Sequence, residues 1–228
     1  MAGHYFSAAT FDFLRELAAN NHRDWFMENK PRYEAVVRTP ALRLIEDMAD
    51  ELPAISPHFL AVSKKVGGSL MRVHRDVRFG KDKRPYKTNI GIQFRHQLGK
   101  DVHAPGFYLH IETGGCFVGA GIWHPDALAL GKIRDAIIEN DKEWVKAKEN
   151  PAFKKRFKLE GDALVNAPRG YAKDHLLIDD LKRKDFIAIA PLKESDVTGK
   201  KLLATVVDSF ATADPLMRFL CKSLAFNY

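Results

Sequence analysis

The chain has 228 residues, 46% of them hydrophobic and 29% charged, with 36 Lys+Arg against 29 Asp+Glu and a formal charge of +7. A chain of this length buries roughly 70% of its unfolded surface, so disorder and a disulfide-stapled scaffold are both set aside, and one domain over residues 1–228 is expected. Its most apolar stretch, Gly114 to Trp123, is rich in glycine and far short of the ~20 residues that cross a bilayer, Met1 to Ser7 has no signal-peptide character, and Cys116 and Cys221 form no close pair, so a cytoplasmic location and no membrane partner are expected.

In chain order, Phe13, Leu14, Leu17 and Ala18 form the apolar stripe of a first helix, closed by Asn20-Asn21, and Trp25-Phe26 begins a second, short one. Thr39-Pro40 reads as an N-cap followed by an N1 proline, after which Ala41, Leu44, Ile45, Met48 and Leu52 recur at helical spacing until Pro53 and Pro57. The period then changes to two, predicting strands around His58 to Val62 and Leu70 to Phe79. Ile90, Ile92 and Phe94 alternate with polar residues or glycine, as do Phe107, Leu109 and Ile111, and Cys116 to Trp123 makes a third extended segment after Gly114-Gly115. Strands joined by such short turns predict an antiparallel meander with one wetter face. Beyond Pro125 helical spacing returns with Leu130, Ile133 and Ile137, followed by a loop at Pro168-Arg169-Gly170, a short helix over Leu176 to Leu181 and a strand over Phe186 to Ile189. Two helices close the chain, one carrying Leu203, Val206 and Phe210, the other starting at Asp214-Pro215. The pattern predicts a single α+β domain with a mainly antiparallel sheet flanked by N- and C-terminal helices.

The excess positive charge is concentrated in two windows. Arg72 to Lys87 holds seven basic residues against Asp76 and Asp82, and Lys142 to Lys158 holds seven against Glu143 and Glu149, a local +5 in each. The second is lysine-dominated with widely spaced aromatics, which suits a solvated helical face. The first is arginine-rich. A guanidinium is a rigid planar fork for carboxylate or phosphate, so the first window is the better candidate for a specific site.

The familiar signatures G-x-G-x-x-G, G-x-x-x-x-G-K-S/T, H-E-x-x-H and G-x-S-x-G are all missing, which argues against dinucleotide enzymes, P-loop NTPases, zincins and α/β-hydrolases. What remains is Arg72 through Asn89. If Leu70 to Phe79 is extended, Met71, Val73, Val77 and Phe79 share one face and Arg72, His74, Asp76 and Arg78 the other, with Arg75 on the apolar side, where its head must find acceptors. Two readings stay open. In one, Arg75 and Asp76 belong to an ion network tying the sheet to the N-terminal helices. In the other, Arg72, His74, Arg75, Asp76, Arg78, Lys81, Lys83, Tyr86 and Lys87 surround an anionic small molecule, phosphorylated ones included.

The pattern R-x-x-R-D-x-R-F-x-x-D-K-x-x-Y-K, from Arg72 through Lys87, resembles the hallmark of a bacterial conserved-hypothetical family, a domain of unknown function. Phe11 to Asn29 with its Asn-Asn-x-x-x-Trp-Phe element, Gly114 to Pro125 ending in Gly121-Ile122-Trp123-His124-Pro125, and Pro168 to Phe186 are similar to the same family. The resemblance spans nearly the whole chain. It implies one cytoplasmic domain of this length with the arginine-rich segment as its hallmark, and lends no activity.

A second set of candidates is His110, Glu112, Trp123 and His124. Tyr108, His110 and Glu112 share a strand face, and two histidines with a carboxylate could ligate a metal, although hydrogen-bonded histidines are the commoner outcome and no metal or cofactor is expected. Gly119 and Gly121 lie on one face with Phe117 and Trp123, leaving a trough that either admits a ligand or lets a helix pack closely. Three functions are therefore weighed: binding of, or action on, an anionic small molecule, whose enzyme version lacks a recognisable nucleophile; nucleic-acid binding through both basic windows; and a partner-binding scaffold whose arginines are consumed internally.

Overall fold

The computed structural model describes residues 4–78, 81–99 and 104–228. Helix α1 (Ala8–Ala19) starts at the extended Ser7 and buries Phe11, Phe13, Leu14 and Leu17. Asn20 and Asn21 end it, and α2 (Arg23–Glu28) follows with Phe26 buried. The third helical stretch departs from the sequence expectation. α3 (Lys30–Tyr33), a π-helical turn (Glu34–Arg38) and α4 (Thr39–Ile55) run on without a break, so Thr39 is helical, with φ −61, and caps nothing. The reason is non-local. Pro40 has no N–H for the Val36 carbonyl four residues back, but the Thr10 hydroxyl of α1 donates to that carbonyl at 2.8 Å and meets its need from outside the helix. The stripe of Ala41, Leu44, Ile45, Met48 and Leu52 is buried as its spacing requires, and Pro53 sits inside the last turn rather than ending the helix.

Six strands form one antiparallel sheet in the order β1-β2-β3-β4-β6-β5. They are β1 (Phe59–Leu60), β2 (Asn89–His96), β3 (Gly106–Glu112), β4 (Phe117–Ile122), β5 (Lys158–Glu160) and β6 (Phe186–Pro191). The meander β2-β3-β4 follows the alternation in the sequence, while β6 joins β4 after five intervening elements. The first of the expected strands shrinks to two residues. The second, over Leu70 to Phe79, is replaced by isolated bridges, Leu70 to Ile92 and His74 to Tyr86, and Phe79 lies outside the described residues. The segment finds its partners in its own downstream residues and in the Asn21 side chain rather than in β2. The chain leaves β2 after residue 71, and residues 73–75 pair with 85–87 as a projecting arm, with Arg75 N–H bonded to Pro85 O and Lys87 N–H to Val73 O.

One sheet face is fully buried, with Ile92 and Phe94, Phe107 and Leu109, Val118 and Ile122, and Phe186 and Ala188. Helix α10 (Leu202–Thr212) packs Phe210 on Phe94 and Phe107, with ring centres 5.6 and 4.5 Å apart. Trp144 of α6 (Asp141–Lys148) meets Phe186 and Phe219, the latter from α11 (Asp214–Ser223). Helices α5 (Ala127–Glu139), α7 (Pro151–Arg156), α8 (Ile178–Leu181) and α9 (Glu194–Thr198) complete the helical content. The protein is thus a single α+β domain, a mainly antiparallel sheet with helices before and after it in the chain. Among the described residues no helix is long and apolar enough to cross a membrane. The opposite sheet face, with Gly91 and Gln93, Tyr108 and His110, Phe117, Gly119 and Gly121, and Ile187 and Ile189, is the one on which the candidate site residues fall.

Candidate functional site

The arm is held to the helices by an asparagine. At the His74–Tyr86 bridge the Tyr86 backbone N–H and C=O face away from His74 and meet the Asn21 side chain. The Tyr86 N–H donates to Asn21 Oδ1 at 3.0 Å and Asn21 Nδ2 donates to Tyr86 O at 2.9 Å, as a neighbouring strand would. The Tyr86 ring, 3% exposed, stacks on Phe26 at 4.1 Å, and His74 packs against both rings. Asn21 therefore ties the end of α1 to the arginine-rich segment, a role that its place in a helix-ending Asn-Asn pair does not signal.

Within the arm, four of the seven cationic heads are answered internally. Arg78 forms a two-pronged pair with Asp76, at 2.9 and 2.7 Å, which holds that carboxyl well below the usual carboxylate range. Arg84 does the same to Asp82, and Arg75, which the alternation placed on the apolar side, reaches Asp82 Oδ2 at 2.6 Å. Lys83 Nζ donates to Val77 O. The side chains of Arg72, Lys81 and Lys87 have no hydrogen bond or ion pair among the described residues. Lys87 is half-buried, and burial, followed by the charges of Arg72 and Arg75, pushes its ammonium below the ordinary lysine value. The arm thus spends Arg78, Arg84 and Lys83 on its own framework, and near Lys87 it leaves Arg72 and, shared with Asp82, Arg75. His74 and Tyr86 serve the packing of its base, and Lys81 is exposed toward its tip.

The second set of candidates divides between two ends of the open sheet face. On β3, Tyr108 O–H and His110 Nδ1 lie 3.1 Å apart and His110 Nε2 and Glu112 Oε2 3.2 Å apart, while the Thr88 hydroxyl donates to Glu112 Oε1 at 3.1 Å. Burial, and then the Glu112 charge, push the Tyr108 hydroxyl up to about 12. At the other end, past β4, His124 turns to φ +49 and is held by Asp185, whose carboxylate accepts the His124 N–H at 2.7 Å and lies 2.9 Å from Nδ1. Asp185 is 1% exposed and also accepts the Asp162 N–H. It was not among the expected residues, since a lone Asp between Lys184 and Phe186 carries no local signal. His110 and His124 are not brought together, and among the described residues no group of three or more His, Cys, Asp and Glu is gathered as a metal site.

Between these ends lies a cavity of about 300 Å³ lined by Met71, Tyr108, Phe117, Gly119, Trp123, Ile187 and Ile189 among others. This is the trough read from Phe117 to Trp123. No described helix fills it, and Trp123, 52% exposed, stands at its mouth stacked on His124.

Three of the seven basic residues of the second window are in ion pairs, and Lys142, Lys146, Lys155 and Lys158 are exposed. Lys148 meets the buried Asp180, Lys154 meets Glu149 and Arg156 meets Asp208.

No curated protein and no solved structure matches the chain. A family model does, described as conserved hypothetical protein (DUF2461), and since it matches residues 9–219, from the first turn of α1 into α11, the chain belongs to that family.

Proposed function

We propose that the protein binds an anionic small molecule, of the phosphorylated kind, at the base of the arginine-rich arm, through Arg72, Arg75 and Lys87. The observation that carries this reading is Lys87: a half-buried ammonium with no carboxylate partner feels the charges of Arg72 and Arg75, while Asp76 is taken by Arg78 and Asp82 is shared between Arg75 and Arg84. Like charges so placed repel one another, and an anion bound between them relieves the repulsion while accepting charge-assisted hydrogen bonds. Arg78, Arg84 and Lys83 support the arm in this scheme, which gives the network reading its share of the segment. His74, Asp76, Lys81 and Tyr86 remain at the margin of the proposed site.

Thermal unfolding with inorganic phosphate or pyrophosphate, against chloride at matched ionic strength, tests this. Both anions should raise the melting temperature of the parent, and Arg72→Ala and Lys87→Ala should lose that rise while folding normally, each weakening binding by about tenfold or more. An equal rise in parent and variants would refute the site. Nucleic-acid binding is the weaker alternative because Lys148, Lys154 and Arg156 of the lysine-rich window are engaged in ion pairs, which leaves four exposed lysines rather than a full basic stripe. It would instead give retention of mixed DNA and RNA that falls steeply with salt.

A further inference from the structure

We infer that the open face of the sheet holds a second ligand site, for a small planar apolar molecule that presents one hydrogen-bond donor, an O–H or N–H, to Tyr108.

The first support is a glycine that the backbone does not need. Gly121 has φ +128, and a Cβ there would stand 2.0 Å from Phe186 O, so the fold itself demands glycine at that position. Gly91 lies under the Tyr108 hydroxyl and the Met71 sulfur, which a Cβ would approach to 2.6 and 2.9 Å. Gly119 is different. Its φ is not in the positive region, and an added Cβ would meet only Tyr108 and Phe117 side-chain atoms at 3.6 Å and beyond, which is ordinary contact. A strand interior is weakened by glycine and favours branched residues. What Gly119 supplies is the floor of the cavity, walled by Phe117, Ile187 and Ile189 with Trp123 at the mouth. A volume of about 300 Å³ with a nearly all-apolar lining is at the lower end of small-molecule sites.

The second support fixes the polarity of the one strongly oriented group in that lining. The Glu112 carboxylate can only accept, and one of its oxygens is already taken by the Thr88 hydroxyl. His110 Nε2 must therefore carry the hydrogen that meets the other oxygen at 3.2 Å, which leaves Nδ1 as a lone pair. That lone pair receives the Tyr108 O–H at 3.1 Å, with the Asn89 amide a more distant donor at 3.4 Å. Tyr108 lines the cavity, and its oxygen, with its hydrogen spent on His110 and the Asn89 amide as a donor to it, keeps a lone pair as an acceptor. Aromatic neighbours and the Tyr108 acceptor select a flat apolar body with one donor, the amide oxygen of Gln93 in the same lining being occupied by Arg95 Nε at 3.1 Å. This site is separate from the anion site, since its floor and its acceptor are on β3 and β4 and none of the three cations lines the cavity.

Calorimetric titration of the full chain with 2-naphthol, its methyl ether and naphthalene tests the inference. The parent should bind all three and prefer 2-naphthol by about five- to tenfold, the worth of one hydrogen bond. Tyr108→Phe should bind the three about equally. Glu112→Gln lets the hydrogen move to Nδ1 and turns the Tyr108 hydroxyl into a donor, so its preference for 2-naphthol should fall. Gly119→Val should abolish binding of all three with its unfolding transition kept, and if it fails to fold, Gly119→Ala should weaken binding in part. Binding by none of the three, undiminished binding by the Gly119 variants, or a preference for 2-naphthol that survives Tyr108→Phe overturns the inference. So does a concentration-dependent dimer that Gly119→Val disperses, which would make a second copy of the chain the occupant.

Discussion

Replacing Asn21 with alanine should loosen the arm far more than its position in a helix-ending loop implies. The substitution deletes two hydrogen bonds, of 3.0 and 2.9 Å, and both end on the backbone of a residue that is 3% exposed, so water cannot easily take the vacated places. A buried backbone group left without a partner costs about 1–3 kcal/mol, and two such groups, with some relief from local adjustment, give about 2–4 kcal/mol. In a domain of this size that is a fall of about 5–15 °C in melting temperature. Urea unfolding should show the midpoint moving with little change in slope, since the surface exposed on unfolding is nearly unaltered. Asn21→Asp is the informative partner. It keeps an acceptor for the Tyr86 N–H but turns an oxygen toward the Tyr86 carbonyl, so it should not recover the loss. A destabilisation under about 0.5 kcal/mol in Asn21→Ala, within the range of ordinary surface substitutions, would refute the clamp.

Two other outcomes follow from the sheet. Gly121→Ala forces a side chain against the Phe186 carbonyl at a backbone angle that L-residues avoid and should cost about 3 kcal/mol or more, whereas Gly119→Ala should stay within about 1 kcal/mol of the parent in the same urea titration; similar losses in the two would show that the glycines are equivalent. On the alkaline side, the Tyr108 and Tyr171 hydroxyls are both raised to about 12, by burial first and, for Tyr171, by its hydrogen bond to Asp135 next. A raised value in the folded chain means that their contribution to stability is complete below pH 10, the ordinary tyrosine value, and is lost as pH rises through about 12. Ultraviolet titration of the folded chain should show these phenols ionising late, and Tyr108→Phe should make stability fall less steeply above pH 10. Release of all the phenols near pH 10 with the fold intact would contradict the burial described for them.

The elements that the sequence made legible are those whose stabilising contacts repeat along the chain. The stripe from Ala41 to Leu52 and the alternations over residues 90–94 and 107–111 are one-dimensional images of a buried face, and the helix and the meander form where they predict. Thr39-Pro40 misled because the partner that excuses the proline, Thr10, is on another helix. The arm misled because alternation alone does not register the partners that draw the segment off β2, residues 85–87 and the distant Asn21; Val73 is buried as expected, yet two isolated bridges form in place of a strand. For the candidate sites, Gly119, Phe117 and Trp123 could be placed on one face from their spacing, but whether a helix would cover that face depended on which side α6, α10 and α11 chose. Asn21 and Asp185 were out of reach for the same reason, since each acts on a segment distant in the chain.

The two margins of the sheet are finished in a particular way. β1 offers two residues and β5 three, and the stretch of β2 beyond β1 is occupied by residues 69–71, through Met71 N–H to Gly91 O and Gln93 N–H to Ser69 O. Each rim therefore presents only a brief row of spare amide and carbonyl groups. A foreign strand seeking to extend the ladder finds little to grip, and a short, interrupted rim of this kind guards against end-to-end stacking of whole molecules.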